Sequence, residues 1–225
     1  MRAHTSHEFE EELQALSERL LAMGGRCERM IEMAAEALES RDPALAEEVI
    51  RLDRRTNADE LEIDERAVRI LALRQPVGRD LRFTITAIKV VTDLERIGDE
   101  AVNLAERAME LAGRPPIEAA SKLPEMARRA QSMLHDALDS FVWEDATLAR
   151  SVFARDDAVD ALYGETLMRS MRLMQERPGQ VEGGMKIASC AKYLERIADH
   201  ATNLAEMVVF LVEGEDIRHG GRGGI

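Results

Sequence analysis

The sequence predicts an all-α protein built as two tandem three-helix bundles, six long antiparallel helices with an internal pseudo-two-fold repeat. Three observations predict it. Ala, Leu, Met, Arg and Glu dominate, whereas aromatic residues make up only 4%; that mixture favours helix. Helix-breaking residues cluster at a few points and leave long uninterrupted segments between them. The two halves also repeat: DLERIGDEAVNLAE at 93–106 and YLERIADHATNLAE at 193–206 agree at ten of fourteen positions, 100 residues apart.

The first helix is expected from about Ser6 to Glu39, ending before Arg41-Asp42-Pro43. The second runs from about Pro43 to Leu73. Pro76 and Gly78 within RQPVGRDLR (74–82) stop it and let the third begin near Arg79. That third helix ends near Leu111, before GRPP (113–116), the strongest stop in the chain. The fourth is expected over about Glu118–Val142, the fifth over Asp145–Glu176, and the sixth, after RPGQ, over Val181–Val212. The repeat extends to the second and fifth helices, where Asp42 aligns with Asp145, Asp53 with Asp156 and Asn57 with Asp160 at an offset of about 103. Long helices with short connections pack antiparallel, and two copies of this period indicate a duplication. The expected units are residues 1–113 and 117–213, with 214–225 a Gly-rich, disordered tail.

The formal net charge of −13 comes with no basic stripe. This argues against nucleic acid or an anionic membrane as partner and favours cations or basic protein surfaces. No run approaches the length of a membrane span. The N-terminal residues lack a basic-then-apolar signal pattern. The expectation is a soluble cytoplasmic protein without membrane insertion. Cys27 and Cys190 form no Cys-x-x-Cys pair and read as small core residues. His4, His7 and His219 are expected in exposed tails and His135 on a helix surface. Trp143 and the methionines at 30, 33, 126, 133, 168, 171 and 174 read as packing residues.

The repeated motif carries the chemistry. With Leu94 at 0° on a helical wheel, the apolar stripe falls between about 280° and 20°. Glu95, Asp99 and Asn103 climb the other side, and Glu195, Asp199 and Asn203 repeat them. Like charges four residues apart cost a few tenths of a kcal/mol. The chain nevertheless carries them at Glu95/Asp99, Glu195/Asp199 and Asp156/Asp160, with Asp53/Asn57 a softened version. If the second and third helices of each unit are neighbours, these oxygens face one another across a groove. Divalent and trivalent cations favour such oxygen sets. The competing reading is a solvated face paired with Arg54, Arg55, Arg96 or Arg196. Gly98 reads as a point of close helix approach. Arg74, Arg79 and Arg82 either offer an anion site at a helix start or pair with nearby acids. His200 next to Asp199 is a ligand candidate for one half only. No nucleophile–base pair and no phosphate-binding Gly-rich loop is present.

On these residues the chain resembles the PhoU family. LERIGDEAVNLAE and LERIADHATNLAE in tandem three-helix units carry the resemblance, together with RQPVGRDLR followed by ERIGD, and it covers roughly residues 8–212. In the second half RPGQVEGG keeps only the proline of RQPVGRDLR. The resemblance implies a non-enzymatic negative regulator of phosphate uptake and of the phosphate regulon. It would link the ATP-binding subunit of a phosphate ABC transporter to a phosphate-sensing histidine kinase, and act as a homodimer. It also implies metal ions, multinuclear iron or zinc with magnesium or manganese as alternatives. They would be held by Asp53, Asn57, Glu95, Asp99 and Asn103 in one half and by Asp156, Asp160, Glu195, Asp199 and Asn203 in the other. Two further readings remain open at this point. One is a di-metal carboxylate oxidoreductase, disfavoured because the chain has no Glu-x-x-His. The other is a metal-free helical adaptor or chaperone.

Overall fold

In the computed structural model, which describes residues 2–215 and 217 and side chains from His7 onward, the chain forms six long helices. They are α1 (Arg2–Ser40), α2 (Pro43–Arg74), α3 (Gly78–Ala112), α4 (Leu123–Trp143), α5 (Ala146–Glu176) and α6 (Val181–Glu213). The expected tail lies mostly outside the described residues, as does His219. Short 3-10 turns at Glu118–Lys122 and Pro178–Gln180 precede α4 and α6.

Helix starts follow the expected chemistry. Asp42 caps α2, its carboxylate accepting from the Ala44 amide at 2.9 Å. Asp145 caps α5 in the same way, accepting from Thr147 and Leu148. Both supply acceptors to helix N-H groups that have none within the helix. The fourth helix departs from expectation, since residues 118–122 are 3-10 and the α-helix starts at Leu123. Pro124 explains this: placed inside an α-helix it would lose a hydrogen bond and clash with the carbonyl four residues earlier, whereas in the first turn it is tolerated. The turn between α2 and α3 places Gln75 and Gly78 at positive φ, 47° and 57°. The α5–α6 connection, where RPGQVEGG stands in place of RQPVGRDLR, uses a 3-10 turn instead.

α1–α3 and α4–α6 pack as two three-helix bundles, joined by α3 against α6 and α1 against α4. One continuous core runs through both, with Leu16, Leu20, Met30, Leu94, Ile97, Leu104, Met126 and Leu194 fully buried. Each such side chain contributes about 1.5–3 kcal/mol through burial. The α1–α4 crossing is close: a methyl group added at Gly24 would lie 2.6 Å from Leu138 Cδ2. Cys27 and Cys190 are buried free thiols, and burial pushes both thiol pKa values up to about 12.

Three packing expectations need correction. Trp143 is 75% exposed; it is the last residue of α4, two residues beyond Phe141, which stacks on Phe83 with ring centroids 5.6 Å apart. Met168 and Met171 are also exposed, at 61% and 44%, whereas Met30, Met33, Met126 and Met133 are buried as expected. Helical spacing alone does not say which face of α5 meets the core. His7 is exposed as expected but lies on α1, 3.2 Å from Glu11. No helix among the described residues is long and apolar enough to cross a membrane.

Candidate metal centre and the seam between the halves

α2 packs on α3, and α5 packs on α6, so each half brings its two acidic stretches together. Gly98 sets the approach in the first half. A methyl group there would lie 3.3 Å from Thr56 Cγ2 and 3.4 Å from Asp53 Oδ1, so the Asp53 carboxylate lies directly against the α3 backbone. Asn57 donates to Asp53 Oδ2 at 3.0 Å, while Asp53 Oδ1 is buried without a hydrogen-bond partner. Burial first, then the charge of Asp99, raises the Asp53 pKa. The same two causes, in the same order, raise that of Glu95.

Glu60 and Asp64 join this groove and were not singled out by sequence. Burial followed by the charge of Asp64 raises the Glu60 pKa; burial raises that of Asp64, whose Oδ1 also has no partner. They stand seven and eleven residues beyond Asp53, on one flank of α2, and extending the helical wheel by two turns finds them. Arg96 supplies some counter-charge, 3.4 Å from Glu95 and 3.5 Å from Asp99.

The second half repeats the arrangement with different compensation. Asp156 Oδ1 is buried without a hydrogen-bond partner, and burial, then the charge of Asp160, raises its pKa. Asp199 rises to about 6, through burial and then the charges of Glu195 and Asp156. Lys192 donates to both oxygens of Glu195, at 2.7 and 2.6 Å. A pocket of about 460 Å³ opens here, lined by Asp156, Arg196, Asp199, His200, Thr202 and Asn203.

The asparagine amides of the motif donate to acids outside the expected sets. The Asn103 amide donates to Glu100 at 3.1 Å, and that of Asn203 donates to Asp93 at 3.2 Å. The Asn203 bond crosses the α3–α6 seam, whereas the Asn103 bond stays within α3. His200 crosses the seam as well, its Nδ1 2.9 Å from Asp93. Arg196 crosses the same seam to Glu100 at 2.7 Å. A single-helix wheel cannot anticipate these crossings, because they depend on how α6 packs on α3. Of the other arginines considered, Arg55 pairs with Asp59, Arg74 with Glu12 and Arg79 with Glu144, and Arg82 donates to the Leu211 carbonyl. Pairing with acids and carbonyls accounts for RQPVGRDLR without an anion. His135 is a surface residue, 2.9 Å from Glu28.

The description PhoU domain matches the chain twice, over residues 20–108 and 123–208, one match for each bundle. The chain belongs to the PhoU family. A Pseudomonas aeruginosa relative, "Phosphate-specific transport system accessory protein PhoU homolog", is 42% identical over 218 residues, covering 96% of this chain and 90% of the relative. The crystal structure of PhoU from Pseudomonas aeruginosa superposes with a TM-score of 0.88 at 42% identity, covering 92% of this chain and 99% of that one. The phosphate transport system regulatory protein PhoU from Streptococcus pneumoniae gives 0.85 at 31% identity, with coverage of 92% and 98%. These names describe accessory and regulatory proteins, and the chain is not an enzyme.

The family resemblance implies metal ions, and the acidic grooves can be tested against that on their own chemistry. Unpartnered buried oxygens at the equivalent positions Asp53 and Asp156, ringed by carboxylates of raised pKa, suit a cation with oxygen preference. Among the described residues no three His, Cys, Asp or Glu side chains are already gathered around one point. The donor types suit such a cation, but the side chains as placed form no ready-made site, and a cation would have to draw the carboxylates inward.

Proposed function

We propose that this PhoU-family protein is a negative regulator of phosphate uptake and phosphate-regulon signalling. It docks in the cytoplasm on the ATP-binding subunit of a phosphate ABC transporter and on the sensor histidine kinase, as a homodimer. Polyvalent cations, iron or zinc foremost with magnesium and manganese as alternatives, sit at the acidic grooves. The observation that carries the reading is the pairing of equivalent acid clusters, α2 with α3 and α5 with α6, in a chain 42% identical to a phosphate-transport accessory protein.

A bound cation would add positive charge to the part supplied by Arg96 and Lys192. Asp53, Glu95 and Asp99 would hold it in the first half, and Asp156, Asp160, Glu195 and Asp199 in the second. Asn57 orients Asp53 through its hydrogen bond. Asn103 and Asn203 would add their amide oxygens to these sets, while their amide nitrogens donate to Glu100 and Asp93. The role left to the protein is that of a rigid charged surface whose shape and sign select its partners.

The test is complementation of a strain lacking its own family member. Wild type should silence a phosphate-regulon reporter in high phosphate, and the variant E95Q/D99N/E195Q/D199N should leave it active at equal protein level. Full silencing by that variant would refute the role given to the acids. Failure of wild type to silence would refute the regulatory reading itself.

A further inference from the structure

α2 packs on α1 as well as on α3, and α5 packs on α4 as well as on α6. Between α1 and α2 lies a cavity of about 390 Å³, lined by Arg19, Arg26, Arg55 and Arg66 together with Glu18 and Asp59. Between α4 and α5 lies one of about 400 Å³, lined by Arg128, Arg129, Arg155, Ser132 and Glu125. Neither contains a residue of the acidic grooves. The two correspond in the repeat: at an offset of 103, Arg26 aligns with Arg129, Arg19 with Lys122 and Glu62 with Glu165. The cation–acid pair is kept in both copies, Arg19 with Glu62, and Lys122 3.9 Å from Glu165.

Guanidinium groups outnumber acids in both cavities. In the second half Arg129 holds Glu125 at 2.8 and 3.2 Å, and Lys122 lies 3.9 Å from the same carboxylate. Asp136, beside the cavity, is 2.6 Å from Arg155. Arg128 makes no ion pair among the described residues; its Nε donates to the Pro124 carbonyl at 3.2 Å. Arg155 donates from Nη1 to Ser132 Oγ at 3.2 Å, while its Nε is buried with no acceptor. The Ser132 hydroxyl keeps its own proton to donate. In the first half Arg26 and Arg55 share one carboxylate, that of Asp59, which is only 5% exposed. Glu62 takes Arg19, and Glu18 accepts from Gln14. Arg66 has no partner among the described residues. Each cavity is left with one more guanidinium than it has acids.

The lining selects the ligand. Apart from Ala15 and Ala22 in the first cavity, every lining side chain is charged or polar, so neither offers a surface on which a nucleobase or an apolar chain would pack. Arginine presents forked N-H donors that match the oxygens of phosphate and carboxylate, and such charge-assisted bonds are about twice as strong as neutral ones. The donors come from two helices in each cavity. A tetrahedral phosphoryl group has an oxygen for each of them, whereas a carboxylate has only two oxygens to share. Volumes near 400 Å³ fall within the range of about 300–1,000 Å³ typical of small-ligand pockets.

We propose that each half binds one compact phosphoryl anion in its arginine cavity, at Arg128, Arg155 and Ser132 in the second half and at Arg55 and Arg66 in the first. Free phosphate and the phosphate of a lipid headgroup share this chemistry. The anion neutralises the surplus guanidinium and gives the Arg155 Nε and the Arg66 side chain the acceptor they lack. It also ties α4 to α5 and α1 to α2 across their grooves. The inference rests on the arginines alone, and neither on the metal reading nor on the regulatory role.

Calorimetric titration of inorganic phosphate into the full chain tests this. Metal is first stripped with chelator and the chelator dialysed away, so that no cation in the acidic grooves can carry the anion. Saturable binding at two sites is expected, with acetate weaker by at least about tenfold. R128Q/R155Q should remove one site and R55Q/R66Q the other, each lost site weakening by at least about tenfold, with an unchanged circular dichroism spectrum. R128Q and R66Q break no ion pair and carry the same test if a double variant melts early. E195Q/D199N should leave both sites intact. Vesicles of phosphatidylglycerol, compared with phosphatidylcholine, decide the source: arginine-dependent attachment to the former assigns the sites to a lipid headgroup, and phosphate binding without attachment assigns them to free phosphate. No saturable binding of either probe, acetate binding equal to that of phosphate, or affinities within twofold of wild type in both double variants would overturn the proposal.

Discussion

Arg196 reaches across the boundary between the two bundles to Glu100, 2.7 Å away, whereas Arg96, its counterpart one repeat earlier, stays on its own groove beside Glu95 and Asp99. The Glu100 side chain is only 6% exposed. Removing Arg196 leaves it with the Asn103 amide alone. Arg196→Ala should therefore destabilise the protein by about 1–3 kcal/mol, the usual penalty for an under-satisfied buried group. Arg96→Ala should change stability by less than about 1 kcal/mol, as for other solvated ion pairs. Urea unfolding of the two variants checks the contrast, and equal losses would contradict it.

Acidification should stabilise the metal-free protein between about pH 6 and pH 4. Asp199 is raised to about 6, and Asp53, Glu60, Asp64, Glu95 and Asp156 are raised as well. An acid with a raised folded-state pKa binds its proton more tightly folded than unfolded, so stability falls as pH rises through that pKa. Melting temperature should be higher at pH 5 than at pH 7.5. Asp199→Asn should flatten the profile, and a profile unchanged in that variant would refute the assignment.

Adjacent glycines of α1 should respond in opposite directions. A methyl group at Gly25 meets nothing within 4 Å, whereas one at Gly24 falls 2.6 Å from Leu138 Cδ2 and 3.3 Å from its Cγ. Gly25→Ala should stabilise by up to about 1 kcal/mol through helix propensity. Gly24→Ala must displace Leu138 at the α1–α4 crossing and should be less stable than Gly25→Ala by at least about 1 kcal/mol. Thermal melts of both variants decide this.

The cap of α5 offers a simpler measurement. Asp145 accepts from two backbone amides, and Asp145→Ala should cost about 1 kcal/mol. Asp145→Asn, which keeps an acceptor oxygen, should recover most of it.

Much of this architecture was legible because its determinants are local. Pro76, Gly78 and the Gly113–Pro116 stop fix where helices end, and Asp42 and Asp145 announce where others begin. The repeat told which helices correspond, and the i,i+4 acids marked the flank that α2 and α3 turn to each other. What could not be read depends on which neighbour a given helix face meets. The donation of Asn203 to Asp93 needs the packing of α6 on α3, which one helix alone does not reveal. Met168 and Met171 looked like core because their spacing matches that of residues that are core; only the assembled bundle shows that their face of α5, like Trp143 at the end of α4, meets solvent. Glu60 and Asp64 were legible and overlooked, since they continue the Asp53 flank.

The central claim is that the equivalent acid clusters attract polyvalent cations. Elemental analysis of protein purified without chelator tests it most directly, comparing wild type with E95Q/D99N/E195Q/D199N. Wild type should carry iron, zinc, manganese or magnesium in at least molar amount, and the variant should lose most of it. Only trace metal in wild type, or equal metal in both proteins, would contradict the account.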